Sequence, residues 1–303
     1  MALGVEGVRA GCWTHPGGHT GCTVVLAPQG ALGAAAVRGG APGTREVAAL
    51  GPAGAVHECH AVVLSGGSAF GLASADGVSA WCEAHGIGYD RAVARIPIVG
   101  AAVVFDLREE GAARPDRDAG WAACEAATAD EPPMGSIGVG AGCRVGKTAG
   151  TEWSSPGGQG WAVVRGGGVT VGALMAVNAL GDVLDEQGGI LVGTRAPPDW
   201  PRFPYQVELS ERPSDAGHTV IGCLVTDAQL SKPEACRAVD LAHTGIARAI
   251  DPAHTSYDGD TLFLLCAQRV NATVDLVAHL GARAVAAAIR AAARASAGAG
   301  PSR

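Results

Sequence analysis

The most informative segment of this sequence is Gly217-His218-Thr219-Val220-Ile221-Gly222-Cys223-Leu224-Val225-Thr226-Asp227. A polar loop ends here, and the apolar and β-branched residues that follow predict a strand from Thr219 to Val225. If the chain breaks between His218 and Thr219, the threonine hydroxyl lies beside a free α-amine that can act as its base. A threonine at the start of a strand is more often only a good β-former. This stretch alone therefore leaves both interpretations open.

Composition and charge narrow the function classes. Of 303 residues, 48% are hydrophobic and 17% are charged, and 46 are glycines, which predicts a globular protein with many tight turns. The net charge of −7 and the scattered arginines argue against nucleic-acid binding. We find no apolar stretch long and uninterrupted enough to span a bilayer, and no signal peptide, so we expect a cytoplasmic protein without a membrane partner.

The cysteines and lysines raise two smaller questions. The nine cysteines, scattered through apolar runs, indicate buried reduced thiols. Cys12, His15, His19 and Cys22 have the spacing of a zinc knuckle, but such spacing also arises by chance, and we expect neither a metal nor a cofactor. Lys147 and Lys232 are the only lysines beside 20 arginines. They stand out because arginine cannot replace a compact ammonium group with a tunable pKa.

The predicted elements alternate between strands and helices without regular βαβ units. Two strands around Pro28-Gln29-Gly30 are predicted as a hairpin. The glycine loop 65–72 between a strand and a helix could cradle an anion, although a tight turn with close helix packing explains it as well. The other predicted segments are the strands 60–64, 161–165, 169–177, 219–225 and 261–265, the helices 116–127, 233–249 and 274–295, the buried segment 96–106, the glycine-rich loop 135–150 and an exposed proline-rich connection over 186–217. This order favours an α+β fold with mixed or antiparallel sheets.

Several polar residues elsewhere are candidates for catalysis. Asp258 and Asp260 bracket a glycine before a strand, where they form either a turn or a pair of carboxylates directed into a site. Asn178, at a predicted strand end, can offer an amide N–H to an oxyanion, or is simply a turn residue. Lys147 lies in the glycine-rich loop. No Gly-x-Ser-x-Gly elbow occurs, so an α/β-hydrolase is not supported. The HExxH motif of zinc proteases does not occur either.

Five segments, in one order along nearly the whole chain, resemble the self-cleaving peptidases of the DmpA type, peptidase family S58. That family includes L-aminopeptidase/D-amidase-esterases, β-aminopeptidases and nylon-oligomer hydrolases. The segments are Val37-Arg38-Gly39-Gly40-Ala41-Pro42-Gly43-Thr44-Arg45-Glu46, Leu64-Ser65-Gly66-Gly67-Ser68-Ala69-Phe70-Gly71-Leu72, Ile96-Pro97-Ile98-Val99, Gly172-Ala173-Leu174-Met175-Ala176-Val177-Asn178 and His254-Thr255-Ser256-Tyr257-Asp258-Gly259-Asp260-Thr261-Leu262-Phe263.

This resemblance implies both the fold and the site. The fold would be a four-layer αββα sandwich, similar to N-terminal-nucleophile hydrolases and to ornithine acetyltransferase, in a single domain over residues 1–303. Autoproteolysis between His218 and Thr219 would give chains 1–218 and 219–303. The site residues carried over are Thr219 as nucleophile and α-amine base, Lys147, Asn178 as oxyanion donor, Asp258 and Asp260.

The implied activity is that of an aminopeptidase, amidase or esterase acting on short peptides or amino-acid amides. A 6-aminohexanoate-oligomer endohydrolase with the same site is the first alternative, and a catalytically dead ligand-binding homologue is the second. The resemblance also implies a homo-oligomer, commonly a tetramer. His218 replaces the Asn or Gly that often precedes the cut, and Val220 stands where close relatives carry a second Thr, so the efficiency of cleavage stays open.

Overall fold

A computed structural model describes residues 1–205 and 217–298 of the protein. A mixed β-sheet lies at the centre of the structure. The strands of these residues are β1 (Arg9–Thr14), β2 (Gly21–Val37), β3 (Thr44–Arg45), β4 (Glu58–Ser65), β5 (Tyr89–Asp90), β6 (Arg95–Ile96), β7 (Val99–Val103), β8 (Arg144–Val145), β9 (Ser155–Pro156), β10 (Gly158–Gly166), β11 (Val169–Asn178), β12 (Asp182–Leu184), β13 (Ile190–Val192), β14 (Thr219–Gln229), β15 (Ile250–Asp251) and β16 (Thr261–Asn271). The helices are α1 (Val47–Leu50), α2 (Ser74–Ala84), α3 (Arg117–Glu125), α4 (Lys232–Ala242), α5 (Thr244–Ala247) and α6 (Val274–Gly298).

Nine of these strands form the main sheet, in the order β10-β11-β14-β16-β2-β4-β7-β3, and β1 pairs with β2 outside this path. Most neighbours are antiparallel, whereas β14 with β16 and β4 with β7 are parallel. The predicted mixed sheet is therefore confirmed. Strand β14, which follows the predicted cleavage point, lies between β11 and β16 in the interior of the sheet.

Alternate residues of β14 show how the layers are stacked. Val220 and Leu224 lie in a core shared with α4 and α6, whereas Ile221 and Cys223 lie in a second core shared with β2, β4 and β7. A third core joins the other face of β2 and β4 to α2 and α3. Both faces of the central strands are buried, which is why these strands are apolar throughout instead of alternating. The layers are helix, sheet, sheet and helix, so the four-layer αββα sandwich is confirmed.

Strand β2 corrects the predicted hairpin. The chain does not reverse at Pro28-Gln29-Gly30 but continues as one strand of 17 residues. Its pairing with β4 shifts from Leu26↔Ala61 to Ala31↔Cys59, and Gly30 has φ +78°. The turn-forming residues therefore produce a bulge, which bends a strand without ending it. Before the bulge β2 pairs with β1, and after it with β16, so this one strand belongs to both sheet layers.

The glycine loop 65–72 is a tight turn, not an anion cradle. The Gly67 N–H donates to Asp106 Oδ1 (2.7 Å), and the Ser68 N–H donates to the Val104 carbonyl (3.0 Å). A Cβ added to Gly71 would lie 1.8 Å from the Gly66 carbonyl oxygen, so close backbone packing requires this glycine. The Gly66 N–H also donates to the Gly21 carbonyl (2.9 Å), so three of the loop amides are occupied inside the protein.

Helix α6 corrects the expectation that no apolar stretch of the chain is long enough to span a bilayer. By length and composition it could cross a membrane, with a mean hydropathy of 1.3 over 18 residues, but 67% of that window is buried inside the protein. The helix packs on β10, β11 and α4, and this packing accounts for its apolar face.

Two further differences concern element boundaries. The predicted helix over 233–249 is two helices, α4 and α5, that meet at His243. The predicted connection over 186–217 contains β13, and residues 206–216 of it lie outside the described part of the chain.

Candidate active site

Three predicted site residues meet because three neighbouring strands begin or end at one edge of the sheet. Asn178 is the last residue of β11 and is paired with Thr219, the first residue of β14. Asp260 directly precedes β16, which runs parallel to β14. All three side chains are buried, with exposed fractions of 6% or less. The strand register therefore brings together residues that lie up to 82 positions apart in the sequence.

The bond between His218 and Thr219 lies at the centre of this edge. The Thr219 hydroxyl hydrogen-bonds to the carbonyl oxygen of His218, and the Gly259 backbone N–H donates to the same oxygen at 2.9 Å. On the other side of Thr219, the Val220 N–H donates to Asp260 Oδ1 at 2.7 Å. A hydroxyl nucleophile, a carbonyl and a donor aimed at the carbonyl oxygen are the parts that acyl transfer needs.

Lys147 and Asn178 hold Gly217, the residue before His218. Lys147 Nζ donates to Asn178 Oδ1 (2.9 Å), to the Asn178 carbonyl (3.0 Å) and to the Gly217 carbonyl (3.2 Å). Asn178 Nδ2 donates to the carbonyls of Gly217 and Phe105, both at 3.0 Å. In the uncut chain the Asn178 amide is therefore directed at Gly217, and the donor on the His218 carbonyl is Gly259. The sequence analysis did not identify Gly259 as a donor, because a backbone N–H leaves no side-chain signature.

The ionisable groups around the bond are strongly perturbed. Burial lowers the pKa of Lys147 to about 7, although Cys143 and Asp258 act in the opposite direction. Burial and the charge of Asp260 raise the pKa of Asp258 to about 6. Burial and the nearby Lys147 lower the pKa of His218 to about 3. Such shifts are frequent at catalytic sites, where burial tunes groups toward neutral pH.

The turn that carries Asp258 and Asp260 is held by the chain that follows β2. The N–H groups of Arg38 and Gly39 donate to the Asp260 carbonyl (3.0 and 3.2 Å), and the Ala41 N–H donates to the Asp258 carbonyl (2.8 Å). The Thr255 N–H also donates to Asp258 Oδ2 at 2.6 Å. Residues 38–41 thus fix the backbone from which the Gly259 N–H projects.

A residue that the sequence analysis missed completes the contacts of Asp260. His254 Nδ1 lies 2.7 Å from Asp260 Oδ2. The histidine precedes the Asp-Gly-Asp turn in the quoted segment, so its proximity to the aspartates was a usable signal. Its partner could not be assigned from spacing alone.

An open cavity of about 480 Å³ lies against the cleavage point. Gly217, His218, Lys147 and Asn178 are among the residues that line it. The other lining residues include both charges as well as polar and apolar groups, namely Phe105, Asp106, Leu107, Arg108, Gly142, Arg144, Thr151, Glu152 and Ser154. A small substrate could therefore reach the bond region from this side.

The four residues with zinc-knuckle spacing do not come together. Cys22 pairs with Trp13 across the β1–β2 ladder, so Cys12 and Cys22 point to opposite faces of that ribbon. Cys22 Sγ contacts the Ala119 carbonyl in the core, whereas Cys12 Sγ accepts from Thr23 and Gln159. Within residues 1–205 and 217–298, no group of three or more His, Cys, Asp or Glu residues could hold a metal ion.

Known proteins resemble this chain in both sequence and fold. An uncharacterized aminopeptidase of Mycobacterium tuberculosis is 42% identical over an alignment of 287 residues, which covers 86% of this chain and 79% of that protein. A 6-aminohexanoate-oligomer endohydrolase of Kocuria sp. is 33% identical over 275 residues, covering 88% of this chain and 74% of its own length.

A solved structure supports the fold independently. The L-aminopeptidase D-Ala-esterase/amidase of Ochrobactrum anthropi, described as a variant of the Ntn hydrolase fold, superposes with a TM-score of 0.69 at 18% identity, over 97% of this chain and 85% of that one. The family model of peptidase family S58 matches residues 3–299. The predicted resemblance is thereby confirmed, and this chain belongs to peptidase family S58, a family of amide-bond hydrolases.

Proposed function

We propose that this protein cuts itself before Thr219 and then hydrolyses amides through a Thr219 acyl-enzyme. The observation that carries the proposal is the contact of the Thr219 hydroxyl with the His218 carbonyl, whose oxygen also accepts the Gly259 N–H at 2.9 Å. Nucleophile, electrophile and oxyanion donor are thus adjacent before any bond is broken.

In the self-cleavage step, Thr219 Oγ1 attacks the His218 carbonyl carbon. Negative charge develops on the carbonyl oxygen, where the Gly259 N–H stabilises it. The C–N bond then breaks, the hydroxyl proton passes to the departing nitrogen, and an ester joins His218 to Thr219 Oγ1. Water hydrolyses this ester to give a carboxylate on His218 and the free α-amine and hydroxyl of Thr219.

In the mature enzyme, the α-amine of Thr219 takes the place of the broken amide nitrogen. Its reference pKa of about 7.7–8.0 leaves part of it neutral near pH 7, so it can accept the hydroxyl proton. The hydroxyl attacks the substrate carbonyl, the amine or alcohol leaves, and water releases the acyl group. When Gly217 leaves its place, Lys147 Nζ and Asn178 Nδ2 each lose one acceptor. Both donors then become available to a substrate carbonyl, which supports the oxyanion role proposed for Asn178.

For the substrate, we propose short peptides, amino-acid amides or esters, in line with the relative named an aminopeptidase. Hydrolysis of 6-aminohexanoate oligomers is the second candidate, because the Kocuria relative, 33% identical to this chain, bears that name. The cavity carries Asp106 and Glu152 as well as Arg108 and Arg144, and so has groups for either end of a zwitterionic oligoamide. A catalytically dead binding protein is the third candidate, and failure to self-cleave in a folded chain would favour it.

The experiment that tests this function compares wild type with Thr219→Ala. Wild type should release p-nitroaniline from amino-acid p-nitroanilides, and Thr219→Ala should stay uncut and inactive. Thr226→Ala, a change of another buried threonine in β14, is the control and should still be cut. Linear 6-aminohexanoate oligomers assayed in parallel separate the first two candidates. An active Thr219→Ala protein would refute the proposed nucleophile.

A further inference from the structure

His254 contacts Asp260 through both its ring and its backbone. Its Nδ1 lies 2.7 Å from Asp260 Oδ2, and its backbone N–H donates to the same oxygen at 3.2 Å. Its Nε2 lies 3.3 Å from the carbonyl oxygen of His243, at the junction of α4 and α5. A carbonyl oxygen only accepts, and Asp260 already accepts from Val220. Both ring nitrogens therefore face acceptors, which suits the doubly protonated, cationic ring.

The charges around this ring support the cationic form. Burial by itself lowers the pKa of His254, but the hydrogen bond and the charge of Asp260 outweigh it, so that the pKa is raised. Arg38 opposes this increase, although its guanidinium is paired with Asp240 at 2.8 Å. The neighbouring ring of His243, at a centroid distance of 5.1 Å, behaves oppositely because burial lowers its pKa to about 4. The pKa values of two histidines in contact are thus shifted in opposite directions.

The backbone at His254 is also unusual. Its φ of +56° lies in the left-handed region, which non-glycine residues rarely adopt. Among non-glycine residues, Asn tolerates this backbone conformation well, so Asn can replace His254 with little backbone strain. The conformation brings both the backbone N–H and the ring onto one carboxylate oxygen, so the loop is shaped around Asp260.

We propose that His254 is a cationic positioning residue that holds the Asp260 carboxylate in place beside the nucleophile. The inference rests on the proposed function, and it deepens the account of that same site. Asp260 has two oxygens with separate tasks: Oδ2 is held by His254, and Oδ1 accepts the N–H of Val220, directly after Thr219. Fixing the first oxygen fixes the second, and with it the peptide that orients the Thr219 hydroxyl. The positive charge of the His254 ring also offsets the negative charge of Asp260, which has a second carboxylate, Asp258, as its neighbour.

Two substitutions separate positioning from bulk stability. His254→Gly removes the ring but accepts the left-handed backbone, and should slow self-cleavage roughly 10- to 100-fold, because small displacements of reacting groups have effects of this size. His254→Asn keeps a neutral donor near Asp260 and should recover part of the rate. In wild type, deprotonation of the His254 ring should lower the rate of self-cleavage at alkaline pH, and His254→Asn should not show this decrease. His60→Asn removes another buried histidine, located in β4, and should match wild type. If wild type is cut and both His254 variants share its rate and pH profile, the positioning role is refuted while the proposed function stands.

A second measurement does not depend on cleavage. In uncut Thr219→Ala protein, ¹⁵N NMR at pH 7 should show both nitrogens of the His254 ring protonated, and His243 and His60 neutral. A neutral His254 ring would overturn the inference, whatever the outcome for the nucleophile.

Discussion

At the residue scale, the site depends on how the chain is arranged on either side of Thr219. On one side His218 and Gly217 occupy the donors Gly259 N–H, Lys147 Nζ and Asn178 Nδ2. In the proposed mechanism these two residues therefore occupy the place of the substrate acyl group. His218 itself is buried, and within residues 1–205 and 217–298 neither of its ring nitrogens has a hydrogen-bond partner. Leaving such a group unpaired is unfavourable, and cleavage allows it to leave.

Lys147 gives the first prediction. Lys147→Met removes the donor that holds the Gly217 carbonyl and the Asn178 side chain, and should slow self-cleavage roughly 10²-fold through loss of positioning. Lys147→Arg should not restore the rate, because a planar guanidinium cannot replace a compact ammonium in this buried place. The measurement is the fraction of cut chain against time on a denaturing gel. Wild-type kinetics in Lys147→Met would exclude the residue from the site.

His218 gives a prediction about pH. Its folded pKa of about 3 is below the unfolded reference of about 6.5, so the unfolded chain binds more protons between these values. The stability of the uncut protein should therefore fall as pH decreases from about 6.5 to 3, by up to about 1.4 kcal/mol per pH unit. In a Thr219→Ala background, His218→Leu should reduce this slope, as measured by denaturant unfolding across the pH range. Identical slopes would show that the ring is not buried in its neutral form.

At the element scale, the site is made by strand ends and by the turn that residues 38–41 clamp. The sequence predicted most of this arrangement: the strands β11, β14 and β16, and the identity of the polar residue at each end. It did not predict that β2 continues through Pro28-Gln29-Gly30, because turn residues in a bulge and in a hairpin look alike locally and only the partner strands decide between them. Gly259 and His254 were missed because their roles depend on backbone direction and on contacts across the fold.

The next prediction concerns the clamp, which is the set of hydrogen bonds from residues 38–41 to the Asp258-Gly259-Asp260 turn. A Cβ on Gly39 would lie 2.3 Å from both the Asp258 carbonyl oxygen and the Asp260 nitrogen, so Gly39→Ala must displace the Asp-Gly-Asp turn. We expect self-cleavage to slow roughly 10²-fold, as for loss of an oxyanion donor, because the Gly259 N–H moves with the turn. Gly298→Ala, at a position where no atom of the described residues lies within 4 Å of the added carbon, is the control. Cleavage time courses compare them, and an unaffected Gly39→Ala would contradict the clamp.

At the scale of the whole molecule, cleavage would leave two chains that are interleaved in one sheet. Strand β14, from the chain 219–303, pairs with β11, and β16 pairs with β2, both partners belonging to the chain 1–218. Helix α6 also packs on β10 and β11. The two chains thus share the hydrophobic core between the helices and the sheet. This interleaving could not be deduced from the sequence without the strand order.

The corresponding prediction is that the cut protein stays together under native conditions. Native mass spectrometry should give a mass containing both chains in equal number, and denaturant should separate them. The same spectrum tests the proposed homo-oligomer, which should appear as a multiple of the paired chains. Dissociation of the fragments in dilute native buffer would contradict the shared core.

The most direct test of the account is the intact mass and N-terminal sequence of purified wild-type protein after denaturation, followed over time together with amidase activity. We predict two fragments, 1–218 and 219–303, the second beginning with Thr219, and activity that rises in proportion to the cut fraction. A single 303-residue chain with full amidase activity, or a cut at another bond in the active protein, would contradict the central claim that Thr219 becomes the nucleophile by freeing its own amine.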